Sequence, residues 1–441
     1  MAEFMNYSNL HEDSVNKQIN IDSISEKDKN IIRGLAKRWM EIAKSDEMKE
    51  RKRLWKALKD LKPVRPMVLF ETLSVLGFVT DEDITCENKL MRNVERTMVY
   101  NIRQYDEVKD DIVIEDYYRL AWKVTKSDYG VKIIEHKADN SMAYKSNFPI
   151  QSTDDFAKLK ERNFQVDKEL PLALKGVLEE IFGDILPVRI GNYDNFFPDL
   201  GFTPFTGNNF VGITMDLFKL TGFENMLTWV YDCPDEIHKL LRYLCDDRLR
   251  FYKWMKDEKL LDFNSDNQFA GPSSYGYVSK LPEVDSKKSL EFKDLWAWPE
   301  SQETTTVSPK MFDEFFLPYI AEVSNMFGMA YYGCCEPLHD RIEYIMKAMP
   351  NLRAVSVSGW SDLYKMGEIL GNKYVYSRKP TPSFISGKNP DWSSAEKDIK
   401  DTYAATKNGC LEVIVRDVYD INGDIPRIRK WVDMTKSILG I

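Results

Sequence analysis

The segment Tyr331-Tyr332-Gly333-Cys334-Cys335-Glu336-Pro337-Leu338-His339 sets two adjacent thiols, a carboxylate and an imidazole close together. Thiolates are the preferred ligands of soft metals, and an acid and a histidine beside them add oxygen and nitrogen donors or a proton shuttle. Met329 to Tyr332 reads as a short buried strand. Leu338 to Met349 carries apolar residues at Leu338, Ile342, Ile345 and Met346, the spacing of an amphipathic helix. The thiols therefore fall at a strand's carboxyl end, the edge where alternating strand and helix folds bind ligands.

Other strand ends carry further candidates. Glu71 follows Met67-Val68-Leu69-Phe70, and Tyr193, Asn195 and Phe196 follow Val188-Arg189-Ile190-Gly191. Asn264 and Asp266 follow Leu260-Leu261-Asp262-Phe263, and Asp417 follows Leu411 to Val415. Aromatics and amides at such ends suit a small, partly aromatic ligand. Glu303 lies in the loop before a helix opened by Ser308-Pro309, from which a carboxylate can reach the same edge. His339 starts a helix and is a candidate for ligation or proton transfer, with helix capping as the alternative. Cys86, Cys233, Cys245 and Cys410 read as small buried hydrophobes.

These positions require an alternating fold. With Ala354 to Val357, Lys373 to Tyr376 and one strand within Asp111 to His136, the candidates number eight, so the pattern predicts a (β/α)8 TIM barrel. Tyr129 to His136 could instead be an inserted hairpin. Ahead of the barrel, Ile31, Ile32, Leu35 and Trp39, then Met48, Leu54, Trp55 and Leu58, mark an N-terminal helical extension. The expected division is a polar leader and helical extension over 1–62 and the barrel over 63–441. No Gly-x-Gly-x-x-Gly or Gly-x-x-x-x-Gly-Lys-Ser/Thr loop follows any strand, which weakens dinucleotide and P-loop readings.

The net charge of −9, from 61 basic and 70 acidic residues in 441, offers no footprint for nucleic acid or an acidic membrane surface. No apolar run approaches the roughly 20 residues that span a bilayer, and six cysteines in this length read as a reduced, cytoplasmic protein. Oligomeric state stays open, with a homodimer among the options.

Taken together, Ser308-Pro309, Glu314 to Tyr319, Gly333-Cys334-Cys335-Glu336-Pro337, Ser377 to Pro382, Asp417-Val418-Tyr419, Asn422-Gly423-Asp424 and Arg427 to Trp431 resemble the uroporphyrinogen decarboxylase superfamily. Within it, the chain looks like the corrinoid-dependent methyltransferase branch of the O-demethylase kind. The decarboxylase carries an arginine-rich element after its first strand, where this chain reads Glu71-Thr72-Leu73-Ser74. An acid there opposes a polyanionic porphyrinogen. The zinc enzymes of the superfamily use His-x-Cys and a later Cys, whereas here the first element is Tyr332-Gly333-Cys334.

The resemblance implies a zinc site, here with an oxygen-richer donor set drawn from Cys334 or Cys335, Asp417, Glu303 and His339. Cys410 precedes the last strand and so belongs at the opposite end, while Asp417 follows it. The implied activity is one-carbon metabolism: transfer of a methyl group from a small methylated substrate, an aromatic methyl ether first, to the cobalt of a separate corrinoid protein. The alternatives are a decarboxylase of a non-porphyrin acid and a non-catalytic corrinoid-binding scaffold.

Overall fold

A computed structural model describes residues 24–137, 144–191, 209–283, 289–407 and 409–441. Two helices open it: α1, Glu26–Ala43, and α2, Asp46–Lys59. Ser25 and Ser45 cap them, each side chain accepting a backbone N–H of the first turn that has no partner within the helix.

Among the described residues, eight strands run in parallel groups. They are β1 (Met67–Phe70), β2 (Tyr118–Ala121), β3 (Val188–Gly191), β4 (Trp296–Ala297), β5 (Met329–Tyr332), β6 (Leu352–Val357), β7 (Val375–Arg378) and β8 (Cys410–Val415). Six form one sheet in the order β1-β8-β7-β6-β5-β4, and β2 pairs separately with β3. The chain is thus α/β with a six-stranded parallel sheet. The register sets Met67 beside Glu412, Ser377 beside Glu412, and Ser356 beside Ser377.

Period-two alternation sorts the strand residues onto two faces. Val68, Phe70, Tyr332, Val355, Val357, Leu411, Val413 and Val415 pack into one apolar cluster with the helices that follow the strands. Met67, Leu69, Trp296, Met329, Tyr331, Ala354, Val375, Cys410 and Ile414 face the other way and share a cluster with Trp39, Trp55 and Leu58 of α1 and α2. The N-terminal helices are therefore packed into the core of the sheet's second face.

The expected strand at Leu260 to Phe263 is the clearest difference. Its place in the count is taken by Trp296–Ala297, and residues 260–264 form no strand. Asn264 explains how an irregular segment stands beside β4. Its side-chain amide accepts the Trp296 N–H at 2.9 Å and donates to the Trp296 carbonyl at 3.1 Å, replacing two ladder bonds. A hairpin does occur, but later than the expected Tyr129 to His136: Glu135–Lys137 pairs antiparallel with Tyr144–Ser146, and residues 129–134 form no strand. Ahead of Pro318, a π-turn over Phe312–Phe316 separates the single turn Pro309–Met311 from the helix Leu317–Ser324.

Candidate functional site

The turn after β5 is pinned from both neighbouring strands. Gly333 takes φ +99°, a conformation that favours glycine, and a Cβ there would meet Leu338 at 3.0 Å and Ser356 at 3.2 Å. Its N–H donates to the Pro299 carbonyl at 2.9 Å, and Trp298 Nε1 donates to its carbonyl at 3.1 Å. From the β6 side, the Ser356 hydroxyl donates to the Cys334 carbonyl at 2.7 Å. Glu336 closes the turn by accepting the N–H groups of Cys334 at 2.8 Å and Ser301 at 3.1 Å.

This scaffold holds Cys334 buried and Cys335 exposed, with their Sγ atoms 3.6 Å apart. The two thiols differ electrostatically. The hydrogen bond from Cys334 and the nearby Arg416 charge hold the Cys335 thiol below its ordinary pKa, outweighing the partial desolvation of its sulfur. Cys334 is pushed well above its own by that same bond and by burial.

Arg416, one residue past β8, organises the cluster. Its Nη1 lies 3.9 Å from Cys334 Sγ, and its Nε lies 3.6 Å from Glu71 and 3.3 Å from Asp417. Burial works against its charge, but Glu71 and Asp417 outweigh that and hold it ionised. Glu71 also accepts a hydrogen bond from Ser273, and Asp417 accepts one from Tyr419 at 3.1 Å. Four predicted residues, Glu71, Cys334, Cys335 and Asp417, thus meet around an arginine that the sequence reading passed over. Glu71 is correspondingly half of an ion pair, so the repulsion it would offer an anionic ligand is offset by Arg416.

The remaining candidates separate. Glu303 accepts from Thr214 at 2.8 Å and belongs to a buried acidic group with Glu300 and Glu336, in all three of which burial foremost pushes the carboxyl upward. His339 accepts the Asp362 N–H through Nδ1 at 3.2 Å, a bond to the residue that caps the helix Leu363–Leu370 and not a cap on the helix that follows His339, Ile342–Ala348. Asp266 accepts from Tyr117 at 2.6 Å and from Arg119, in a different network. Asn264 is the structural amide of β4, while Tyr193, Asn195 and Phe196 lie outside the described residues. Cys410 opens β8 at the end opposite Asp417, as its place before the strand requires.

Beneath the cluster, the sheet's second face also carries buried polar groups among its apolar residues. The Lys59 ammonium, at the end of α2, sits 2.7 Å from Glu412 and 2.6 Å from Ser274, with both charged side chains fully buried. Lys379 donates to Ser377 at 2.8 Å, and burial pushes its amine down to about 7. At the carboxyl end of β1 a cavity of about 60 Å3 is lined in part by Glu71, Thr72, Tyr100, Asn267, Ser273 and Tyr275.

Zinc can be tested against these donors. Two thiolates about 2.3 Å from one tetrahedral ion stand roughly 3.8 Å apart, near the observed spacing. Among the described residues, however, no group of three His, Cys, Asp or Glu side chains is placed to hold a metal ion. Asp417 is engaged by Arg416, Glu303 by Thr214 and His339 by a backbone N–H. A guanidinium beside one thiol further opposes a dication, so the described donor set does not complete a zinc centre.

No family model matches the sequence, and no curated protein matches it. Among solved structures, the chain is similar to a methyltransferase from Methanosarcina mazei at 11% identity and a TM-score of 0.46, over 88% of this chain and 98% of that one. A likeness of that degree assigns no activity. No helix among the described residues is long and apolar enough to cross a membrane.

Proposed function

We propose that the chain is a methyltransferase that moves a methyl group from a small methylated compound to the cobalt of a separate corrinoid protein. The sequence motifs point to this reading, and the observation that carries it is the convergence of Cys334, Cys335, Glu71 and Asp417 on Arg416 at the strands' carboxyl ends. Reduced cobalt supplies the nucleophile, so the task left to this chain is to hold the donor and stabilise the group that departs. Arg416 offers a fixed positive charge where an oxyanion would develop, in a setting of low dielectric. Glu71 and Asp417 fix its guanidinium, and Ser273 fixes Glu71.

The adjoining cavity favours a compact group: its 60 Å3 is well under the roughly 150 Å3 that accepts benzene. An aromatic methyl ether, our first choice of donor, would keep its ring and its methyl carbon at the opening, where the methyl is accessible to the cobalt. No step in this reading passes through zinc. The test is incubation with reduced corrinoid protein and a panel of methoxyarenes, methylamines and uroporphyrinogen. Methyl-cobalt formation from a methoxyarene is the expected result. Turnover of a methylamine alone would keep the reaction and replace the donor, and carbon dioxide release from uroporphyrinogen would overturn the proposal.

A further inference from the structure

The two sulfurs alone do not complete a divalent metal site among the described residues. The 3.6 Å between the Cys334 and Cys335 sulfurs is far beyond the roughly 2.05 Å of a disulfide, yet it suits a bridge of one atom. Among the described residues, these two sulfurs lie 3.6 Å apart and the Arg416 guanidinium stands 3.9 Å from Cys334. A dication would need further anionic or neutral donors and would be repelled by that charge. A neutral trivalent centre that binds through two sulfurs meets neither difficulty, and the exposed Cys335 gives it access.

We propose that Cys334 and Cys335 form a chelating dithiol for neutral trivalent arsenicals. For an organoarsenous acid, R–As(OH)2, each sulfur replaces one hydroxide. Two As–S bonds form, two As–O bonds break, the two thiol protons leave with the hydroxides as two waters, and arsenic stays trivalent. The closed turn from Gly333 to Glu336 holds both sulfurs on one side before binding, so ordering costs little. This inference is independent of the proposed methyl transfer.

The test uses phenylarsine oxide, which hydrates to the phenyl member of that class, on the purified full-length chain under a reducing atmosphere. Native mass spectrometry should show one phenylarsenic per chain, and peptide mapping should show Cys335 protected from iodoacetamide until a competing small dithiol is added. Cys334→Ser and Cys335→Ser should each weaken binding on the order of 10²-fold, because a second, tethered contact is lost. Unchanged affinity in either variant would overturn the proposal, as would an adduct mapped to Cys86, Cys233, Cys245 or Cys410. If either variant fails to fold, protection of Cys335 in the unaltered chain decides: alkylation undiminished by the arsenical refutes the chelate. Zinc recovered at one per chain and not displaced by phenylarsine oxide would also refute it.

Discussion

Replacing Arg416 by methionine keeps much of the side chain's length and removes its charge. Glu71 and Asp417 then lose a guanidinium held at 3.6 and 3.3 Å, with the Glu71 side chain only 11% exposed. Leaving one member of a buried pair uncompensated typically costs 3–5 kcal/mol. Arg416 itself is 16% exposed, so water screens part of the loss and about 3 kcal/mol is expected. A second replacement, Glu71→Gln, removes the stranded charge, so Arg416→Met/Glu71→Gln should recover roughly 2 kcal/mol of that loss, a coupling within the range seen for contacting residues. Urea unfolding of the four proteins measures the cycle. Alkylation of Cys335 at neutral pH gives a second readout: it should slow in Arg416→Met, because the charge that favours the thiolate is gone. A single-variant loss under about 1 kcal/mol, or additivity of the two replacements, would refute the view that Arg416 organises the cluster.

The same reasoning reaches the interior. Lys59→Met should destabilise by about 3–5 kcal/mol through the stranded Glu412, and Lys59→Met/Glu412→Leu should restore most of it; a single-variant loss near zero in thermal or urea unfolding would contradict a buried ion pair. Asn264→Leu removes the partner of two backbone groups of Trp296 and should cost roughly 2–6 kcal/mol, about 1–3 for each buried group left unpaired, whereas an unchanged unfolding midpoint would show that the amide is dispensable. Lys379 supplies a pH signature. Its folded-state value of about 7 lies below the ordinary lysine value, so the unfolded chain binds more protons between about pH 7 and 10. Its charging penalty is fully present below that window and lifts as pH rises. Lys379→Met should therefore reduce the upward slope of stability by up to about 1.4 kcal/mol per pH unit there, and identical slopes in urea titrations would refute this.

Alternation along β8 explains both what was legible and what was missed. Leu411, Val413 and Val415 announce a buried strand, and the same period places Cys410, Glu412, Ile414 and Arg416 on the opposite face. Asp417 was found by its position after the strand, but Arg416 needed the period carried one step past the strand's end. Val375, Ser377 and Lys379 repeat the pattern on β7. The polar residues on this face were readable as alternation, but their partners lie across the chain, as Lys59 does from Glu412. Residues 260–264 failed for a different reason. Leu260 to Phe263 has strand composition, but the side chain of Asn264 supplies the pairing that a backbone ladder would give. His339 follows the thiols closely in sequence and Glu303 precedes them in a loop, but bonds from Thr214 and from the Asp362 N–H, both distant in the chain, take up a polar atom of each.

The carboxyl-end cluster is proposed to serve methyl transfer. Its most direct test is the initial rate of methyl-cobalt formation, followed by absorbance with reduced corrinoid protein and a methoxyarene, for the unaltered chain, Asp417→Asn and Cys410→Ser. Asp417→Asn should lower kcat/KM by roughly 10²-fold, the scale of removing one group that positions a charge stabiliser, while Cys410→Ser, at the far end of β8, should leave it within a few-fold. Equal loss in both folded variants, or no methyl-cobalt from any methylated donor with the unaltered chain, would contradict the account.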